Sequence, residues 1–210
     1  MHIKMTFGYN GSGFGGFASQ PGTRTVQGEL EAALSHVFKT PTKVVGAGRT
    51  DKGVHATGQV ISFLLPKEFE SIPDSELKTK ISATIPRDIT IVKIEKKEKF
   101  NARQEAKSKT YIYKYKLKKP ITANDLALIR AQTEKLIGTH DFSKYCKDKN
   151  PKTPVRTIHT IDITHTDREI TISIRGKSFL KCMCRMIVGS LLNLGGAAPA
   201  DGLTLHSVEF

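Results

Sequence analysis

One stretch of the chain combines residue types that could do chemistry with a backbone free enough to present them. It runs Gly46-Ala47-Gly48-Arg49-Thr50-Asp51-Lys52-Gly53-Val54-His55-Ala56-Thr57-Gly58-Gln59-Val60. It holds one carboxylate, Asp51, two residues from the guanidinium of Arg49. A carboxylate kept ionised by nearby cations in an exposed loop can act as a nucleophile or a base. The same residues would also suit a tight turn in which the aspartate caps backbone N–H groups or forms an ion pair. Spacing alone leaves both readings open.

A second candidate is the run 107–119, which carries six lysines and no acid. Charge runs are mostly solvated strand or helix faces. Here the lysines interleave with Tyr111, Tyr113 and Tyr115, a pattern that also suits base stacking on a nucleic-acid surface. Three other features carry less. The glycine-rich segment 8–16 lacks the G-x-x-x-x-G-K-[ST] phosphate loop and leads into no dinucleotide fingerprint. It reads as a strand-end turn that lets backbone approach a ligand closely. Cys182 and Cys184 are two apart, so on a helix they face different ways, and they read as buried thiols. The seven histidines contain no H-x-x-x-H, so no metal site is expected.

Positioning these residues requires ordered elements on both sides. Ile3, Met5, Phe7 and Tyr9 alternate as a strand. Thr25 is an N-cap candidate for a helix carrying Val26, Leu30, Ala33, Leu34 and Val37. Short strands follow over 44–47 and 58–65, then a helix over 75–83 and a strand over 89–95. The second half repeats the order: a strand over 108–117, a helix over 124–137 ending at Gly138, a hairpin over 157–165 and 169–176, a helix over 180–194, and a strand over 203–209. Two βαββαβ units predict an α+β protein of two ferredoxin-like halves with antiparallel sheets. The halves are expected at 1–103 and 104–210, joined near 96–107.

Composition narrows the class. The 210 residues carry 33 Lys plus Arg against 20 Asp plus Glu, net +13, with 38% hydrophobic residues. This is too apolar for a disordered chain. No apolar run approaches the roughly 20 residues a bilayer span needs. Three cysteines do not suggest a disulfide scaffold. The sequence leads from Met1 directly into strand-like alternation, so it reads as a soluble, intracellular, basic protein. Both halves are basic, at +5 and +8 when split after Arg103. A polyanionic partner is favoured, nucleic acid first and membrane surface second.

The string Gly48-Arg49-Thr50-Asp51-Lys52-Gly53-Val54-His55-Ala56 resembles the signature of the tRNA pseudouridine synthase A (TruA-type) family. The likeness continues through Tyr9-Asn10-Gly11, Gly16-Phe17, Thr25-Val26-Gln27 with Leu30-Glu31, Ile85-Pro86-Arg87-Asp88-Ile89 and Phe100-Asn101-Ala102-Arg103. It goes on through Lys109-Thr110-Tyr111-Ile112-Tyr113, Asp141-Phe142, Arg156, Phe179-Leu180, Met183, Arg185 through Leu191, and Gly202-Leu203-Thr204-Leu205. Five positions depart from the family's usual residue: Asn10 for Asp, Phe17 for Trp, Asn101 for His, Lys109 for Arg, and Cys184 for an apolar residue. Two stretches are short, after Pro120 and between Gly196 and Gly202.

The resemblance implies an isomerase that needs no cofactor. It would turn uridine into pseudouridine in the anticodon stem-loop of tRNA, at about positions 38–40, in the cytoplasm and as a homodimer. The active cleft would lie between the two halves. Asp51 is implied as nucleophile or base at the sugar, and Tyr111 as the ring that stacks on uracil and helps remove the C5 proton. Arg185 is implied as the ion-pair partner of Asp51. Arg49 would hold the position vacated by the extruded base, whose removal costs a few kcal/mol. Lys52, His55, Lys107, Lys109 and Arg156 complete the expected RNA contacts. Two other classes compete: an RNA-binding protein without catalysis on the same scaffold, and a small-molecule enzyme, which the charge fits poorly.

Overall fold

A computed structural model describes residues 1–210. The chain is a mixed α+β protein with nine strands and four α-helices. The strands are β1 (His2–Tyr9), β2 (Val45–Gly46), β3 (His55–Leu64), β4 (Ile89–Lys97), β5 (Ser108–Lys116), β6 (Gly138–Asp141), β7 (Val155–His165), β8 (Glu169–Gly176) and β9 (Leu203–Glu209). The helices are α1 (Val26–Phe38), α2 (Asp74–Ser82), α3 (Ala123–Glu134) and α4 (Met183–Leu191). No helix is long and apolar enough to cross a membrane.

The chain divides into two compact units. The first comprises Met1–Ala106 with Leu205–Val208 and Phe210, and the second Lys107–Thr204 with Glu209. In the first unit β1 is central, antiparallel to both β3 and β4, and β2 pairs with the far edge of β3. Every second residue of β1 is buried, as its alternation predicts. Ile3, Met5 and Phe7 share a core with Leu30 and Leu34 of α1 and Leu77 and Ile81 of α2, all 1% exposed or less. Burial of each such side chain stabilises the fold by about 1.5–3 kcal/mol. Thr25 caps α1 as expected, its side chain accepting from Gly28 N–H. A smaller apolar cluster gathers Ala47, Val60, Phe100 and Ala102 with Val208 and Phe210.

In the second unit the order β5-β8-β7-β6 is antiparallel throughout. Ile170, Ile172 and Ile174 are fully buried, as are Met183, Ile187 and Val188 of α4. A capping box at Thr122 and Asp125 starts α3. Two local expectations change. The helix expected over 124–137, ending at Gly138, stops at Glu134, and Gly138–Asp141 form β6 against β7. The final helix begins at Met183 rather than residue 180, because Cys182 holds a left-handed conformation (φ 60°) that a helix cannot continue through. Cys184 is buried and Cys182 half-buried. No three His, Cys, Asp or Glu side chains group as a metal site.

Candidate active site

The Asp51 loop, 47–54, is tied at both ends. Ala47 N–H donates to Val60 O at 2.8 Å, and the Gln59 side-chain amide donates to Gly48 O at 3.0 Å. Val54 N–H closes a turn on Asp51 O, with Gly53 at φ 82° in the third position, where a type II turn favours glycine. Thr50, just before the carboxylate, is gripped on backbone and side chain. Its carbonyl accepts from Phe17 N–H at 3.0 Å, and its hydroxyl bonds the Tyr9 hydroxyl at 2.7 Å in a buried pair. Burial pushes the Tyr9 phenol up to about 12, against the lowering effect of its bonds to Thr50 and Gln59, so it stays a hydroxyl at neutral pH. Tyr9→Phe leaves the Thr50 hydroxyl buried without this partner. We expect a loss of about 1–3 kcal/mol, read as a lower urea midpoint; an unchanged midpoint would mean the pair is dispensable.

The 8–16 segment lies against this loop. A Cβ on Gly11 would sit 2.1 Å from Val54 O, and one on Gly8 would sit 2.9 Å from Ala56 O. One on Gly16 (φ 118°) would sit 3.2 Å from Thr50 O and 3.3 Å from Lys52 N. The glycines therefore serve a close approach of backbone, as expected, but the approach they show is to the chain's own Asp51 loop. Gly11 N–H also donates to His55 Nδ1 at 3.1 Å, which commits that nitrogen to the fold. Asp51 is half-buried, and Arg49 and Lys52 are exposed.

The base of the 8–16 segment is anchored by charge. Arg24 stacks on the Phe14 ring at 4.3 Å, donates to both Asp88 oxygens at 2.7 and 3.1 Å, and reaches Glu29 at 2.9 Å. The Arg24 bond holds the Asp88 carboxyl below the usual carboxylate range. A depressed carboxylate stabilises the fold above its unfolded pKa and loses that contribution as pH falls through its folded one. The urea-midpoint gap between wild type and Asp88→Asn should therefore close as pH is taken from 6 to about 3. A gap independent of pH would contradict this role.

In the second unit, Lys107 precedes β5, while Lys109, Tyr111 and Tyr113 lie on one face of that strand. Both tyrosines are buried, and Lys114 and Lys116 point to solvent on the other face. Tyr113 is a core residue: its hydroxyl donates to Pro199 O at 2.9 Å, and burial pushes it up to about 12. Tyr111 meets Phe179 edge-on at 5.2 Å. Arg185, half-buried on α4, donates from Nε to Ala198 O at 2.7 Å, while Ala198 N–H donates to Arg185 O at 2.9 Å. Arg156 on β7 spends its Nη1 on the Thr153 and Val155 carbonyls, and its Nε is buried with no hydrogen bond. Sequence reasoning quoted Tyr9, Phe17 and Asp88 as motif residues without a task. The structure gives them one, holding Thr50 and the glycine-rich segment. Gln59, quoted within the Asp51 stretch, carries no role from sequence, and its one signal there is a lone amide ahead of the apolar residues Val60, Ile61 and Phe63.

These observations define a mixed α+β protein that frames one carboxylate loop with glycines and buried hydroxyls. The sequence profile of the tRNA pseudouridine synthase family matches residues 6–104 and 133–204. Asp51, Arg156 and Arg185 fall inside those stretches; Lys107, Lys109 and Tyr111 fall between them. The chain is 37% identical to tRNA pseudouridine synthase A of Thermosipho melanesiensis, over 99% of each chain. It is 38% identical to tRNA pseudouridine synthase A of Bacillus licheniformis, over 96% of this chain and 87% of that one. The chain belongs to the tRNA pseudouridine synthase family. The first alignment spans 250 positions against 210 residues here, so that relative carries segments this chain lacks.

Proposed function

We propose that the chain isomerises uridine to pseudouridine in the anticodon stem-loop of tRNA, at about positions 38–40. The observation that carries this reading is the Asp51 loop: a single carboxylate in an intact Gly-Arg-Thr-Asp turn, held by Tyr9, Phe17, Gln59 and Val60. The reaction breaks the N1–C1′ bond, turns the base and forms C5–C1′. Nothing is oxidised or reduced, and the C5 proton is lost while N1 gains one. Asp51 acts at the sugar, either bonding carbon or removing a proton, as carboxylates do at glycosidic centres. Tyr111 stacks on the uracil and assists at C5, and Arg185 pairs with Asp51 and orients it. In this reading residues of an N-terminal half over 1–103 and of a C-terminal half over 104–210 act on one nucleotide.

The β4-β1-β3-β2 order in the first unit supports a ferredoxin-like reading of that half. Arg49, Lys52, His55, Lys107 and Arg156 contact the RNA around the extruded base, and the +13 charge draws the polyanion in. We read the protein as a cytoplasmic homodimer; light scattering that returns a strict monomer at assay concentration would remove the dimer. Carbodiimide mapping of unmodified tRNA after incubation with the protein locates the product. Pseudouridine at one or more of the three anticodon-stem positions supports the reading. Tight, salt-sensitive tRNA binding with no pseudouridine anywhere would favour the non-catalytic RNA-binding alternative.

A further inference from the structure

Of the 33 lysines and arginines, Lys109 alone is buried, at 9% exposure. Its ammonium makes no hydrogen bond or ion pair, and burial with no acid to offset it pushes the group down from its ordinary value. Its stem is buried while the ammonium keeps some contact with solvent, and a cation so placed, with no partner in the fold, is costly to hold and open to a group that comes to it. The surroundings say what. Lys109 is two residues from Tyr111 on the same face of β5, so their Cα atoms are about 7 Å apart. Across the sheet it faces Gly176, which presents no side chain. A Cβ there would sit 3.0 Å from the Phe179 ring, the same ring that meets Tyr111. Lys109 thus shares a strand face with Tyr111, next to the Phe179 ring that Tyr111 meets, and is set apart from the exposed lysines 107, 114 and 116 that suit phosphates.

We propose that the Lys109 ammonium donates to a carbonyl oxygen of the target uracil and stabilises the ring as it leaves C1′. This rests on the synthase reading and on Tyr111 lying against that ring. When N1–C1′ breaks, its electron pair goes to the ring, which becomes a uracilate anion with charge on N1, O2 and O4. Asp51 meets the deficit at the sugar, by a bond to C1′ or by taking the C2′ proton. When C5 bonds C1′, the ring surrenders the C5 proton and N1 is reprotonated, so Lys109 keeps its own proton throughout. A neutral uracil gains little from the ammonium, and an anionic one beside a partly buried cation gains more. The contact therefore strengthens in the transition state rather than on binding.

The test compares wild type, Lys109→Met and Lys109→Arg on one unmodified tRNA. Pseudouridine formation is followed by C5-tritium release, and tRNA affinity is measured across a salt series. Lys109→Met should lower kcat about 10²–10³-fold, leaving Kd and its salt slope unchanged. Lys109→Arg, which keeps the charge, should recover most of kcat. Wild-type kcat should fall at alkaline pH as the lysine deprotonates, and that limb should move higher in Lys109→Arg. The alkaline limb carries the test if Lys109→Met fails to fold. A weaker Kd with a salt slope shallower by about one and an intact kcat would make Lys109 a phosphate contact and overturn the proposal. An alkaline limb unchanged in Lys109→Arg would do the same. If wild type forms no pseudouridine in any tRNA, the synthase reading falls and takes this one with it. If wild type turns over and Lys109→Met matches it, only the proposal falls.

Discussion

Gly11→Ala is expected to destabilise the first unit by about 3 kcal/mol or more and to cost about 100-fold in turnover. The added Cβ would lie 2.1 Å from Val54 O and 2.5 Å from Val54 C, both backbone atoms that no rotamer change can move aside. Relief requires either the 8–16 segment or the 51–54 turn to shift. The segment is fixed by Asn10 N–H on Asp88 O at 3.0 Å and by the Arg24–Asp88 pair; the turn is fixed by Thr50 and Gly53. The shift is therefore felt at Asp51, and a misplacement near 1 Å is enough to lose two orders of magnitude. Gly196→Ala is the matched control, since a Cβ there meets nothing within 4 Å. Urea midpoints and single-turnover rates decide it. A Gly11→Ala protein as stable and active as Gly196→Ala would show that the packed glycine does not set the loop's position.

Much of this framework was legible in the sequence where one face of an element is apolar. The alternation of 3–9 and 169–176, the Thr25 cap and the spacing of Leu30 and Leu34 each leave a periodic trace, and those elements lie where the trace puts them. β6 left none. Its residues Gly138-Thr139-His140-Asp141 are polar and mostly exposed, so pairing with β7 rather than burial defines it. The glycine-rich segment was legible as a place of close approach, but the approaching backbone is some 40 residues away in sequence, beyond any local pattern. Lys109 is different. Grouped by charge it belonged with the solvated lysines of 107–119. Its parity with Tyr111 and Tyr113 placed it on the buried face all along. The Asp51 loop could be found from residue types, yet spacing could not separate a capped turn from a reactive carboxylate. The turn turns out to be closed by the Asp51 carbonyl and the Gly53 conformation.

The second large effect is at Asp51 itself. If this carboxylate bonds the sugar or removes its proton, no neighbour can substitute for it, because Arg49 and Lys52 beside it are cations and Thr50 has its hydroxyl engaged by Tyr9. Loss of such a group costs at least about 10³-fold in turnover. The loop is also tied through Ala47, Gly48, Thr50 and Val54, so the fold and the basic surface should persist in Asp51→Ala, and with them tRNA affinity and its salt dependence. The most direct measurement is tritium release from unmodified tRNA labelled at uridine C5, for wild type and Asp51→Ala, with tRNA affinity measured on both. The account predicts release by wild type, none above background by Asp51→Ala, and equal affinities. Release by Asp51→Ala at the wild-type rate would contradict it.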